Sequence, residues 1–156
     1  MLVSTTGACS ASSSASGGPK DAKKWDQANA EYLAEAKSLT LPQGLAFPVH
    51  LPRERTTNGS PNTFGDGVGR GQADHLWYCG WQGTWLKDLS TGRTKAAHSD
   101  LATMKNLTHL SMYTLSTTAG DKHIYTDAWA RADLGDPSLV QQDFTANCDL
   151  RQLSGA

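Results

Sequence analysis

The chain has 156 residues, 38% of them hydrophobic and 19% charged, with a net charge of −1 and three cysteines. That length suits one domain, and the near-neutral charge gives nucleic acid or an anionic surface no electrostatic hold. There is no run of about 18 consecutive apolar residues, so no segment as written spans a bilayer.

Met1 to Pro19 holds no charged residue, and between Ser4 and Gly18 only Cys9 interrupts a run of Ser, Thr, Gly and Ala. Such a segment has little apolar surface with which to offset the entropy of ordering, so residues 1–19 read as a flexible tether. Cys9 follows Thr6-Gly7-Ala8. Small residues before a cysteine, with a Ser/Gly/Ala linker behind it, resemble a bacterial lipoprotein processing site. There the cysteine is lipidated and becomes the mature N-terminus. Thr6 stands where Leu is usual, and only Leu2 and Val3 remain of an apolar region, so this reading requires a start upstream of Met1. The expectation is an exported protein, lipid-anchored through Cys9 at the outer face of the cytoplasmic membrane or in the cell wall. An intracellular protein with a disordered N-terminus and a secreted protein without lipid are the alternatives.

The remainder reads as a single helical domain over 20–148, followed by a tail over 149–156. Trp25, Ala28, Tyr32, Ala36 and Leu39 recur at helical spacing, predicting a helix from Pro19 to Leu39 that Leu41-Pro42-Gln43-Gly44 ends. Thr40 to Gly71 is a long irregular arm, broken by Pro42, Pro48, Pro52 and Pro61 and by six glycines from Gly44 to Gly71. Gln72 to Leu89 returns to helix with Ala73, Trp77, Trp81 and Trp85 spaced by four, and Asp74 opens it. After the short break Ser90-Thr91-Gly92, Thr94 to about Leu115 predicts a second long helix, antiparallel to the first. Ala119 to Trp129 reads as less regular. Asp136 as N-cap and Pro137 at the first position start a last helix, which carries Val140 and Phe144 inward and ends before Cys148. With one Ile and four Val in the chain, a sheet-based core is not expected. The fold class is mostly α, a small helical domain with a Gly/Pro-rich arm and one disulfide.

An odd cysteine in an exported protein needs its own explanation, and the lipid-acceptor context of Cys9 supplies it. Cys79 and Cys148 remain. A bond between them would tie the last helix to the tryptophan helix, closing a loop of about seventy residues for roughly 4 kcal/mol. It would also require an oxidising compartment. Two buried free thiols are the alternative.

The run from Gly65 through Gln72-Ala73-Asp74-His75-Leu76-Trp77-Tyr78-Cys79-Gly80-Trp81, with Leu41-Pro42-Gln43-Gly44 before it and Leu134-Gly135-Asp136-Pro137-Ser138 after it, resembles a group of small exported proteins of high-GC Gram-positive bacteria. The similarity covers roughly Trp25 to Cys148, and Gln-Ala-Asp-x-x-Trp-x-Cys-x-Trp is its most specific element. The resemblance implies export and a Cys79–Cys148 pair, and it carries no activity with it.

Few residues point to chemistry. Exposed tryptophan stripes can stack on sugars or bases, but Leu, Ile, Val and Phe make up only 25 residues, so Trp77, Trp81 and Trp85 are needed for the core. Gly65, Gly67, Gly69 and Gly71 lack the strand and acidic partner of a dinucleotide site and the Gly-Lys-Ser/Thr of a P-loop. They read instead as an arm passing close to the helices. Asp74 suits a helix N-terminus, and its neighbour His75 diverges from it by about 100°, so the two form no dyad. His98 and His109 stand about 16 Å apart along a helix, too far for one metal, and His123 with Asp127 would supply two ligands only. No metal or cofactor is expected. The leading expectation is a membrane-tethered, non-enzymatic envelope domain acting through protein or envelope contacts. The alternative is an envelope-glycan-binding or hydrolytic protein with a groove between the arm and the tryptophan helix, lined by Arg70, Asp74, His75, Trp77 and Trp81.

Overall fold

The computed structural model describes residues 23–51 and 63–154. The proposed tether with Cys9, the proline at position 19, the centre of the arm (52–62) and the last two residues lie outside them. Among the described residues five α-helices carry the fold: α1 (Trp25–Ser38), α2 (Val68–Ser90), α3 (Thr94–Met104), α4 (Ala119–Asp133) and α5 (Ser138–Asn147). Two 3-10 turns (Lys105–His109 and Leu150–Leu153) and a π turn (Met112–Ser116) lie between and after them. Among the described residues extended pairing is limited to two isolated bridges, Lys23 with Phe64 and Ala46 with Ser154. The fold is mostly α, and Cys79 is bonded to Cys148.

The first helix starts later than its periodicity suggests. Lys23 is extended, its N–H donating to the Phe64 carbonyl at 2.7 Å and its own carbonyl accepting from Phe64 N–H at 3.0 Å. Helix begins only after Lys24, whose N–H is satisfied by Gln27 Oε1 at 3.0 Å.

The second helix starts earlier, at Val68 rather than Gln72, so Asp74 lies in its second turn and does not open it. Gly67, at φ +78°, turns the arm into the helix. Gly69 is helical because α1 crosses there: a Cβ on Gly69 would lie 2.0 Å from the Ala28 carbonyl oxygen and 2.8 Å from Tyr32 N. A helical glycine costs about 1 kcal/mol of propensity. The close crossing it permits buries Ala28 and Tyr32 completely. Further along α2, Gly80 lies against Leu41, Leu45 and Leu153, and Gly83 against Phe144 and Leu150.

α2 is thus the axis of two cores. One joins Ala73 and Leu76 to Ala28, Tyr32, Leu51 and Leu153. The other joins Trp77, Tyr78 and Trp85 to Leu101, Met104, Leu107, Trp129 and Val140. The described part of the arm wraps these cores, and helix side chains bond its backbone. Tyr32 Oη donates to the Pro48 carbonyl at 2.9 Å, Trp25 Nε1 to the Leu51 carbonyl at 3.0 Å, and Leu51 N–H to Asn29 Oδ1 at 2.8 Å.

Connected by a short turn at Gly92 (φ +71°), α2 and α3 pack on each other. The long helix expected through Leu115 is broken. α3 ends at Met104, and Leu110 is extended at φ −89°, ψ 157°. A buried carboxylate on α2 holds the chain after this break, as described below.

The stretch from Ala119, expected to be less regular, is the helix α4. Thr118 accepts the Asp121 N–H at 3.2 Å, a capping pattern, and Tyr125, Ala128, Trp129 and Ala132 face the core. At α5 the cap shifts by one residue, to Pro137, with Asp136 Oδ1 accepting from Ser138 N–H at 3.0 Å. Nor does packing stop at Cys148. Leu153 is wholly buried and its carbonyl accepts from Ala46 N–H at 2.8 Å, so the packed domain runs to at least Ser154.

Candidate functional site

The five residues proposed to line a groove sit on successive turns of α2, and their side chains go to different neighbours. Arg70 lies 3.6 Å from Glu31 and 3.8 Å from Asp66, and Lys23 bonds both of those carboxylates. These four charges clamp the chain entering α1 to the start of α2. Hydrogen bonds to Asp66 and Glu31 raise the Lys23 ammonium pKa, and Lys23 holds Asp66 below the usual carboxylate range.

Asp74 is fully buried. Its Oδ2 accepts from Met112 N–H at 2.8 Å, while Oδ1 has no partner. The carboxylate therefore serves the first turn of the segment after the helix break, where backbone N–H groups lack helical partners. Burial, opposed by the Met112 hydrogen bond and aided by the charge of Glu35, pushes its pKa up to about 6.

His75 turns to the other side. Its Nε2 lies 3.0 Å from the Asn147 carbonyl and 3.6 Å from Cys79 Sγ, so it borders the disulfide rather than Asp74. Trp77 and Trp81 direct their Nε1 donors to one acceptor, the Thr40 carbonyl, at 3.0 and 3.1 Å. The two rings meet edge to face at 6.5 Å. Trp77 and Trp85 are buried and Trp81 is half-buried. The tryptophan stripe is mainly core, with its indole N–H groups fixing the chain just past α1. Arg70, Asp74, His75 and the two tryptophans do not converge on one space.

A surface depression that the motif search did not point to lies at the α2–α3 turn, about 680 Å³ in volume and lined by Gly92, Arg93, Thr94, Lys95, Ala96 and Ser99. Nearby on the facing helices, Asp88 and Asp100 are both buried. Asp88 is bonded to Arg93, whereas Asp100 Oδ2 has no partner, and burial followed by the Asp88 charge raises the Asp100 pKa. Sequence reasoning missed this pair because twelve residues and a turn separate its members. It missed Gln82 for the same reason. That side chain is fully buried, donates from Nε2 to Asp143 Oδ2 at 2.7 Å, and sets Oε1 3.2 Å from Cys148 Sγ. With α4 helical, His123 and Asp127 share one exposed face, and among the described residues no group of three metal-ligating side chains assembles. No described helix is long and apolar enough to cross a membrane.

Two polar arrangements therefore stand out: the carboxylate of Asp74 under the broken helix, and the ring of His75, Asn147 and Gln82 around the disulfide. No protein-family model, curated protein or solved structure is similar to this chain.

Proposed function

We propose that this chain is an exported cell-envelope domain, tethered to the membrane through a lipid on Cys9, that acts through protein or envelope contacts rather than by catalysis. The observation that carries the reading is the Cys79–Cys148 bond. Disulfides persist in oxidising compartments, and pairing these two leaves Cys9 as the single remaining cysteine, in a lipid-acceptor context. A contact role is supported by the commitments of the polar side chains on α2. Arg70 clamps α1, Asp74 caps a turn, and Trp77 and Trp81 bind a backbone carbonyl.

Detergent phase partitioning of the protein expressed from its own locus tests the anchor. The wild type is expected in the detergent phase and Cys9→Ser in the aqueous phase, and equal partitioning of the two would end the lipid reading. Titration of envelope glycan fragments against tryptophan fluorescence tests the contact role. A saturable change that Trp81→Ala abolishes would favour a glycan-binding protein over a protein-contact domain.

A further inference from the structure

Both sulfurs of the disulfide have polar partners in place. His75 precedes Cys79 by one turn of α2, with Nε2 3.6 Å from Cys79 Sγ. The same nitrogen is 3.0 Å from the Asn147 carbonyl, which can only accept, so Nε2 carries a hydrogen, directed at that carbonyl with Cys79 Sγ beside it. At the other sulfur, Gln82 Oε1 lies 3.2 Å from Cys148 Sγ, its amide orientation set by the bond from Nε2 to Asp143. A disulfide sulfur has no hydrogen to offer Gln82 Oε1, whereas a thiol has. The two sulfurs also differ in access: Cys79 is 2% exposed, and Cys148 is half-buried at the end of α5. A bond serving only as a brace gains nothing from an imidazole N–H beside one sulfur and a carbonyl acceptor beside the other.

We propose that Cys79–Cys148 is a reversible thiol–disulfide exchange site for a dithiol reductant, with His75 serving the Cys79 leaving group. One thiolate of the dithiol attacks Sγ of Cys148, the less buried of the two cysteines, and forms a mixed disulfide. The Cys79–Cys148 bond breaks with its electron pair on Cys79, and the His75 Nε2–H turns from the Asn147 carbonyl to that thiolate, hydrogen-bonding it or, from the imidazolium, protonating it. The second thiolate of the dithiol then displaces Cys148. That sulfur takes a proton from water and donates to Gln82 Oε1. The dithiol becomes a cyclic disulfide, and the protein gains two electrons and two protons. Exchange quickens as the leaving thiol becomes more acidic, and a neighbouring histidine makes a thiol more acidic. The site is independent of Cys9, so it stands whether or not the chain is lipidated.

The test is the rate at which dithiothreitol reduces the full-length protein between pH 5 and 8. Far-ultraviolet circular dichroism is followed alongside. The wild type should be reduced at least about threefold faster than His75→Gln at pH 6, the effect of lowering the leaving-group pKa by about one unit. The ratio should narrow towards pH 8. The reduced protein should keep its helical signal and re-form the intramolecular bond with oxidised dithiothreitol. Equal rates for the two proteins at every pH would overturn the proposal, as would loss of helix on reduction. If His75→Gln does not fold, the wild-type profile decides. Corrected for the thiolate fraction of the reductant, its rate should rise towards acid, and a flat profile would refute a role for His75.

Discussion

Gly69 and Asp74 show how much a single position carries in this fold. A methyl group at Gly69 meets the backbone of α1, which cannot swing aside as a side chain would. Gly69→Ala is expected to cost about 3 kcal/mol, the upper range for overpacking. Gly120→Ala should stabilise by about 0.5 kcal/mol or more, because a Cβ there meets only Thr118 Oγ1 at 3.9 Å. Urea unfolding of the two variants checks both signs, and a smaller loss at Gly69 than at an ordinary core position would contradict the tight crossing. Asp74 has the opposite difficulty: it is small enough, and it is charged. Its folded pKa of about 6 lies above the ordinary aspartate range, so the folded state holds the proton more tightly than the unfolded state does. Its contribution to stability is therefore complete below about pH 4 and is lost as pH rises through 6, a change on the order of 2–3 kcal/mol. Asp74→Asn is expected to remove that dependence, narrowing the difference in urea midpoint between pH 5 and pH 7.5. An unchanged difference would show that the carboxylate is not the group responsible.

At the scale of elements, α2 organises the rest by leaving space. Gly69, Gly80 and Gly83 let α1, the arm and the C-terminal turn reach its backbone, and the large side chains between them fill both cores. The C-terminal turn shows this best. Leu153 has no exposed surface and packs on Gly80 beside Leu41 and Leu45. Leu153→Ala should cost about 3 kcal/mol, as for a buried leucine in a rigid site. Leu134→Ala, at a residue 88% exposed, should stay within about 0.5 kcal/mol. Thermal unfolding of the pair checks the contrast, and equal behaviour would mean that the last turn is not part of the cooperative unit. The elements also show where a one-dimensional reading fails. The pattern from Thr94 through Leu115 is continuous, yet α3 ends at Met104, and beyond the break Asp74, distant in sequence, takes the Met112 N–H. α4 went unrecognised although Thr118 and Asp121 form a readable cap, because Ala119-Gly120 looks like a turn when taken alone.

For the whole molecule, the disulfide and the two cores act together. The bond spans 69 residues and joins α2 to the end of α5, a closure worth about 4 kcal/mol in the chain-entropy model. The second core already holds α5 through Val140, so most of the tertiary packing does not depend on the sulfur link. A domain braced in this way is suited to exchange its bond without losing its fold. What was legible from residue order alone were the properties that depend on composition and short-range pattern. These are the helical class, which follows from few β-branched residues and a tryptophan period of four, the turns at Gly44 and Gly92, and the pairing of Cys79 with Cys148. What only the tertiary structure decided were the properties that depend on which backbone meets which. Gly69 of the arm is helical because α1 needs a bare surface to cross. Arg70, Asp74 and His75 go to different neighbours, and Trp77 and Trp81 share one, because each meets whatever packs at its height on α2. The contacts of His75 with the Asn147 carbonyl and of Gln82 with Cys148 close across 66 or more residues of chain. Local preference sets the helical class and, to within a residue, where α3 and α5 start, whereas helix breaks, close approach, burial and the pairing of distant polar groups are settled only when the chain packs.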